Sequence, residues 1–368
     1  MMPPNRKGKH YNLSLLEKCC LTLVSLVQIA FIFYFVHPES ALWRKFTAFY
    51  LQKFLNNFSA AVSMLMYVYH YVPMNNMIEE VTQLDKLFLI LSPNLNCRKK
   101  LSFTVIRTWK LRIPFYLGLL FYWSVHCAER LSYKGIQVWT VRNVLETISI
   151  VFRFCGIKLV SIIEINFVLY AFVDFTLLVR HRLNVLNRLI IARCSKTSQY
   201  SSLIHNVIIS EHDVSLILLI YTKLQRVQRR LLLCFRISIL LFFSINVYCL
   251  ILVALTAYNQ YFSEKFETKH ASSCEFLLRS AICYSVILVC VLCTREADQI
   301  AINMQRFTSI SPNLKFFHME LRDRKFKFEI FRFFSLDFDT FLAMMGFIST
   351  YIVIMAQFKT DTIQYPDS

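Results

Sequence analysis

Ile237-Ser238-Ile239-Leu240-Leu241-Phe242-Phe243-Ser244-Ile245-Asn246-Val247-Tyr248-Cys249-Leu250-Ile251-Leu252-Val253-Ala254-Leu255-Thr256-Ala257-Tyr258 contains no Asp, Glu, Lys or Arg. A hydrocarbon core of ~30 Å needs about 20 apolar residues in a helix, so this stretch is long enough to cross a bilayer. Working outward, comparable runs occupy Cys19–Val36, Phe46–Val72, Ile113–Ala128, Leu145–Val179, Phe276–Thr294 and Phe338–Phe358, which makes seven spans. The whole chain of 368 residues is 56% apolar and 17% charged, where a soluble domain carries about 25% charged residues. Mean hydropathy is +0.46. These values exclude a soluble domain, and they lead to an all-α integral membrane protein surrounded by a lipid bilayer. The net charge of +18 then belongs to loops that set orientation rather than to a nucleic-acid surface.

Orientation follows from where those charges fall. The segments 1–18, 73–112, 180–236 and 295–332 hold 29 Lys and Arg, whereas 37–45, 129–142, 259–279 and the stretch after Phe358 hold 9. Positive charge stays on the cytoplasmic side. The N-terminal segment 1–18 is therefore expected inside and the tail 359–368 outside, the reverse of a G-protein-coupled receptor. The first run is read as a retained helix, because it ends in His37-Pro38-Glu39 without a small-residue cleavage site.

Several helices should outrun the bilayer. Asn143–Arg180 holds 38 residues without proline, or ~57 Å of helix, so the fourth span (145–179) should continue into the cytoplasm. The fifth is expected to start below the membrane and cover 207–258, and the sixth to run on over 276–307. Leu216, Leu219, Leu224, Val227 and Leu231 recur at spacings of three and four, suited to a cytoplasmic bundle. The alternative is that these basic helices lie on the anionic inner leaflet. In the connector 313–336, Leu314–Leu321 suits a short helix, while Lys325–Ile330 alternates like a strand.

Five glycines leave no phosphate loop, dinucleotide turn or carbonyl-lined filter. Cys290 and Cys293 form a lone C-x-x-C without further ligands, which suits packing rather than zinc. Cys127 and Cys274 fall near one face of the membrane, which leaves a disulfide open. No metal, cofactor or enzymatic chemistry is expected.

The last span ends in Thr350-Tyr351-Ile352-Val353-Ile354-Met355-Ala356-Gln357-Phe358. This resembles the T-Y-(five apolar)-Q-F signature of insect gustatory receptors, part of the insect chemoreceptor superfamily. Phe333-Phe334-Ser335-Leu336-Asp337 resembles the family's entry to that helix, and Arg182-Leu183-Asn184 its basic-L-N stretch. Relatives often carry glycine before the F-F pair, where this chain has Arg332. The sugar-sensing branch tends to carry Glu after T-Y, where this chain has Ile352. The resemblance implies a homo- or heterotetrameric, non-selective cation channel opened by a small-molecule tastant, here a non-sugar one. It also implies a plasma-membrane location in a chemosensory neuron, no need for a G protein, cytoplasmic helix ends forming an anchor, and the last helix lining the pore. The other class that remains open is a seven-span receptor or transporter sharing only the hydropathy.

On the last helix, Thr350 and Gln357 lie seven apart and share a face with Ile354 between them. Thr350, Ile354, Gln357 and Phe358 are the pore and gate candidates; the alternative is that Gln357 caps an interfacial helix end and Tyr351 belongs to an aromatic belt. A ligand pocket is expected in the outer halves of the spans, with Tyr122, Trp123, His126, Phe152, Arg153, Tyr258 and Tyr284 as candidates. Arg153 at that depth either faces such a pocket, or snorkels or pairs with a carboxylate.

Overall fold

The computed structural model describes residues 48–91, 157–200, 211–262, 269–305 and 326–363, together with Ser124. Six helices and one hairpin fill them: α1 (Ala48–Tyr69), α2 (Tyr71–Leu91), α3 (Ile157–Tyr200), α4 (Glu211–Phe262), α5 (Lys269–Gln305), β1 (Glu329–Ile330), β2 (Phe334–Ser335) and α6 (Phe338–Ile363). The first and third spans, the outer part of the fourth and the proposed helix Leu314–Leu321 lie outside the described residues. Among the described residues, two helical stretches are long and apolar enough to cross a membrane, His212–Leu255 and Ser273–Met304, and Phe338–Ile354 is a shorter apolar one.

Length sets the architecture. α3 has 44 residues, α4 has 52 and α5 has 37, so at 1.5 Å per residue each exceeds ~50 Å and outruns a ~30 Å hydrocarbon layer. The expected overruns are therefore present. The structure adds one more. Phe46–Val72 was expected to end at Pro73, but after a one-residue turn at His70 the chain continues as α2 to Leu91. Pro73 sits in the first turn of α2, where its missing N–H is tolerated. The flanking amides of His70 and Met74 still reach the carbonyls of Met66 and His70, at 2.9 and 3.0 Å.

The extensions bundle together rather than lie apart on a surface. α2 buries Met74, Met77, Val81, Leu84, Phe88 and Leu91, spaced alternately three and four. α4, against which it packs, buries Val214, Ile217, Tyr221, Leu224, Val227 and Leu231 in the same rhythm. That repeat keeps one seam facing the partner helix. The stripe proposed from sequence is thus rotated at its N-terminal end: Leu219 is 43% exposed, and Leu216 only flanks the core. α5 follows the rule with Cys283, Cys290, Cys293, Ala297, Ile300 and Met304. Three-residue spacing in the lone C-x-x-C is therefore seam spacing, and both thiols lie fully buried in the core.

The basic-L-N stretch joins three helices at this level. Arg182 on α3 donates from Nε and Nη2 to the two carboxylate oxygens of Asp85 on α2, at 3.1 and 2.9 Å. Leu183 is fully buried, and the Asn184 amide donates to Glu296 on α5 at 3.1 Å. Arg182 is 4% exposed, so removing its partner strands a desolvated guanidinium. Asp85→Ala should cost about 2–3 kcal/mol, below the ~3–5 kcal/mol of a fully buried pair because Asp85 keeps some solvent. Arg182→Met should cost less. Thermal unfolding of the purified protein checks the order, and equal losses would show that packing rather than charge decides.

Lys325–Ile330 was expected to alternate like a strand, and from Phe326 it does. Phe326, Phe328 and Ile330 are buried while Lys327 and Glu329 are exposed. β1 and β2 pair antiparallel, Ile330 opposite Phe334. Between them Phe331 and Arg332 have φ of 50° and 61°, and the Phe333 amide closes the turn on the Ile330 carbonyl at 2.9 Å. Two consecutive left-handed residues are the mark of a type I′ turn. Arg332 thus takes the conformation that glycine adopts without steric cost. The Arg236 guanidinium lies 4.7 Å from the Phe331 ring, a cation–π contact of about 0.5–1 kcal/mol that holds the strained turn against α4. Arg332→Gly should raise stability by roughly 0.5–1 kcal/mol, the relief of a left-handed side chain less the extra unfolded-state entropy of glycine. Denaturant titration reads it, and a loss of stability would mean that the Arg332 side chain itself anchors the turn.

Candidate functional site

The hairpin exists to deliver α6. Leu336 is 3% exposed, and its amide donates to the Phe328 carbonyl at 2.8 Å. Asp337 then caps the helix: its Oδ1 accepts from the Thr340 amide at 2.9 Å, and its other oxygen accepts from the Ser335 hydroxyl. Thr340 Oγ1 donates back to the Ser335 carbonyl at 2.6 Å. Burial by itself would raise the Asp337 carboxyl, but the hydrogen bonds from Ser335 and Thr340 outweigh it and hold the group below the usual carboxylate range. A charged carboxylate at a helix start is also favoured by the dipole. The F-F-x-apolar-D sequence is, in physical terms, a strand, a buried plug and a cap in succession.

α6 is then bound along one face only. Phe341, Met344, Met345, Ile348 and Ile352 turn toward α4 and α5, with Ile348 1% exposed against Leu250 and Ile251. The other face is open. Leu342 is 66% exposed, Phe347 60%, Val353 55% and Ile354 42%, and Ser349, Thr350 and Gln357 are exposed as well. Among the described residues, nothing beyond α6's own backbone lies within 4 Å of where a Gly346 side chain would begin. Thr350, Ile354 and Gln357, seven residues apart from first to last, are all exposed on this side of α6. The Thr350 hydroxyl satisfies itself on the Gly346 carbonyl at 2.9 Å. Tyr351 is 38% exposed on the same side of the packing stripe. Phe358 lies within α6, and its side chain is outside the described residues.

Most of the expected pocket residues lie outside the described residues: Tyr122, Trp123, His126, Phe152 and Arg153, and likewise the side chain of Tyr258. Cys127 is also outside them, and Cys274 is half-buried. Tyr284 is described, and it is 42% exposed. Its ring stacks on Phe338 at 5.9 Å and meets Phe341 edge-on at 5.5 Å, so it braces the start of α6, at the hairpin end of the bundle.

A polar cleft at the opposite end went unread in the sequence. It is a narrow cleft, partly open to the surroundings, lined by Asn56, Ser59, Asn166, Asn246, Glu275 and Arg279, with an apolar wall of Phe242, Ile245, Leu278 and Ile282. All six polar residues are less than a tenth exposed. Arg279 was counted among loop cations, but it lies a turn inside the span. It donates from Nε to Glu275 Oε1 at 3.0 Å, one turn earlier on α5, and from Nη1 to Asn246 Oδ1 on α4 at 3.0 Å. Asn246 in turn donates to the Phe242 carbonyl at 2.8 Å. The signal for this site was present: Asn246 is the only amide in Ile237–Tyr258, and Glu275 and Arg279 stand at i,i+4 where a helix begins. Polar residues at membrane depth mark function by default.

An apolar helical bundle with one helix left half-bare and a polar cleft among four others is the architecture of a membrane-embedded receptor. The chain belongs to the 7tm Chemosensory receptor family, whose model matches residues 2–362. Its fold is similar to that of the insect olfactory receptor OR5 from Machilis hrabei, with a TM-score of 0.64 at 10% identity over 97% of this chain and 93% of that one. The same receptor in complex with eugenol matches with a TM-score of 0.61, at the same identity and coverage. No curated protein matches the chain in sequence.

Proposed function

We propose that the protein is a gustatory receptor subunit: a ligand-gated, non-selective cation channel of the plasma membrane, assembled as a homo- or heterotetramer and opened by a small-molecule tastant without a G protein. The observation that carries this reading is the bare face of α6. A helix held along one stripe and exposing Thr350, Ile354 and Gln357 on the other suits a wall shared between subunits and water. A helix facing only lipid gains nothing from a threonine and an amide on one line. The T-Y-(five apolar)-Q-F signature favours the gustatory branch, and the apolar Ile352 favours a ligand other than a sugar.

The polar cleft is the ligand site in this reading. It opens among α1, α3, α4 and α5, toward the end that the charge asymmetry assigns to the outside. That a receptor of similar fold has been solved in complex with eugenol supports a small-molecule ligand here. Orientation is the simplest test, because it separates this class from G-protein-coupled receptors. A tag after Ser368 should be stained on intact cells, and one before Met2 only after permeabilisation. The opposite pattern would end the channel reading.

A further inference from the structure

The polar cleft also limits what it can bind. We propose that its ligand is an uncharged small molecule bearing a group that both donates and accepts hydrogen bonds, such as a carboxamide, and that carboxylates and amines are rejected. The inference rests on the cleft being the ligand site, and it adds the ligand's chemical class.

Charge balance is the first argument. Among the described residues that line the cleft, the ionic ones are Glu275 and Arg279, and they face each other: Oε1 of Glu275 lies 3.0 Å from Nε and 2.9 Å from Nη2 of Arg279. Asn246 takes a third contact from the guanidinium. A carboxylate entering here would have to displace Glu275, and an ammonium would have to displace Arg279. Either exchange leaves a desolvated charge behind, and the cost of an isolated buried ion exceeds what one new contact returns. An uncharged ligand meets no such barrier.

Hydrogen-bonding capacity is the second argument. Asn56, Asn166 and Asn246 bring carboxamides from three helices, each group carrying both donors and acceptors. Ser59 is fully buried, and its Oγ has no hydrogen-bond partner among the described residues. A buried hydroxyl left so is costly unless some state of the protein satisfies it. A ligand that gives and takes hydrogen bonds does so. Phe242, Ile245, Leu278 and Ile282 form the apolar wall for its carbon skeleton. A site built to hydrogen-bond a polar group discriminates strongly against analogues that cannot return the bond.

The test uses the purified full-length protein and matched triples on one skeleton: benzamide, benzoate and benzylamine, then hexanamide, hexanoate and hexylamine. Ligand binding to the folded state raises the melting temperature with concentration, which reads binding whether or not a current flows. The expected result is that an amide binds with at least roughly tenfold higher apparent affinity than its acid and amine. Ser59→Ala removes only an unsatisfied hydroxyl, so it should fold and yet weaken the amide by about tenfold. The proposal is overturned if an acid or amine binds as well as its amide, if no compound of either triple shifts the melting temperature, or if Ser59→Ala leaves amide affinity unchanged. Currents recorded with the same compounds separate the two readings: amide binding without any opening keeps the ligand class and removes the channel assignment.

Discussion

Phe358→Ala is expected to raise ligand-independent cation current by about tenfold, which is a shift of about 1.4 kcal/mol in the closed-to-open equilibrium. α6 is fastened by Ile348 and Ile352 on one side and offers Thr350, Ile354 and Gln357 on the other. Around a fourfold axis, four such helices would place an apolar ring at Phe358 beside an amide ring at Gln357. Water leaves a narrow apolar constriction, and an ion cannot follow without losing its hydration. Shrinking that ring wets it. Gln357→Ala should instead change ion preference, since an amide that replaces hydration water is gone, and Thr350→Ala, two turns deeper, should act more mildly. Two-electrode recordings with surface labelling read all three. If the variants reach the surface and leave basal current, agonist response and permeability unchanged, this face does not line the pore.

The second large effect concerns Glu275 and Arg279, whose side chains are about a tenth exposed. Removing one partner leaves the other charged and desolvated, so Arg279→Met or Glu275→Leu alone should cost about 3–5 kcal/mol. Replacing both together should restore most of that loss, because two apolar side chains of similar volume leave no stranded ion. A double-mutant cycle on thermal unfolding, with surface expression beside it, measures the coupling. Additive losses would mean that the pair contributes nothing as a pair. The double variant should still be deaf to ligand if the cleft is the binding site, which separates stability from recognition.

How much of this was legible from residues alone depended on whether a signal was local. The long helices α3, α4 and α5 and the Phe326–Ile330 alternation were readable, because period and length act within one segment. The role of Arg182-Leu183-Asn184 was not, since its meaning lies in Asp85 and Glu296, 97 and 112 residues away in sequence. α2 was hidden by Pro73, which reads as an end although a helix tolerates it in its first turn. Counting charges put Arg279 in a loop because the count sees a cation but not the Glu275 one turn back that allows it to be buried. Tyr284 was placed in an outer pocket from its position along the span; its ring direction, set by Phe338 and Phe341, is a tertiary fact. The left-handed turn at Phe331 and Arg332 gave no signal in sequence, since neither residue favours it and its strain is offset by the Arg236–Phe331 contact from another helix.

The central claim is that α6 forms the wall of a cation pore. Reconstitution of the purified protein into planar bilayers, free of other proteins, tests it most directly. The account predicts ligand-evoked single-channel cation currents whose permeability ratios change in Gln357→Ala. Protein that binds its ligand yet carries no current in the bilayer, or a current whose selectivity is untouched by Gln357→Ala, would contradict it.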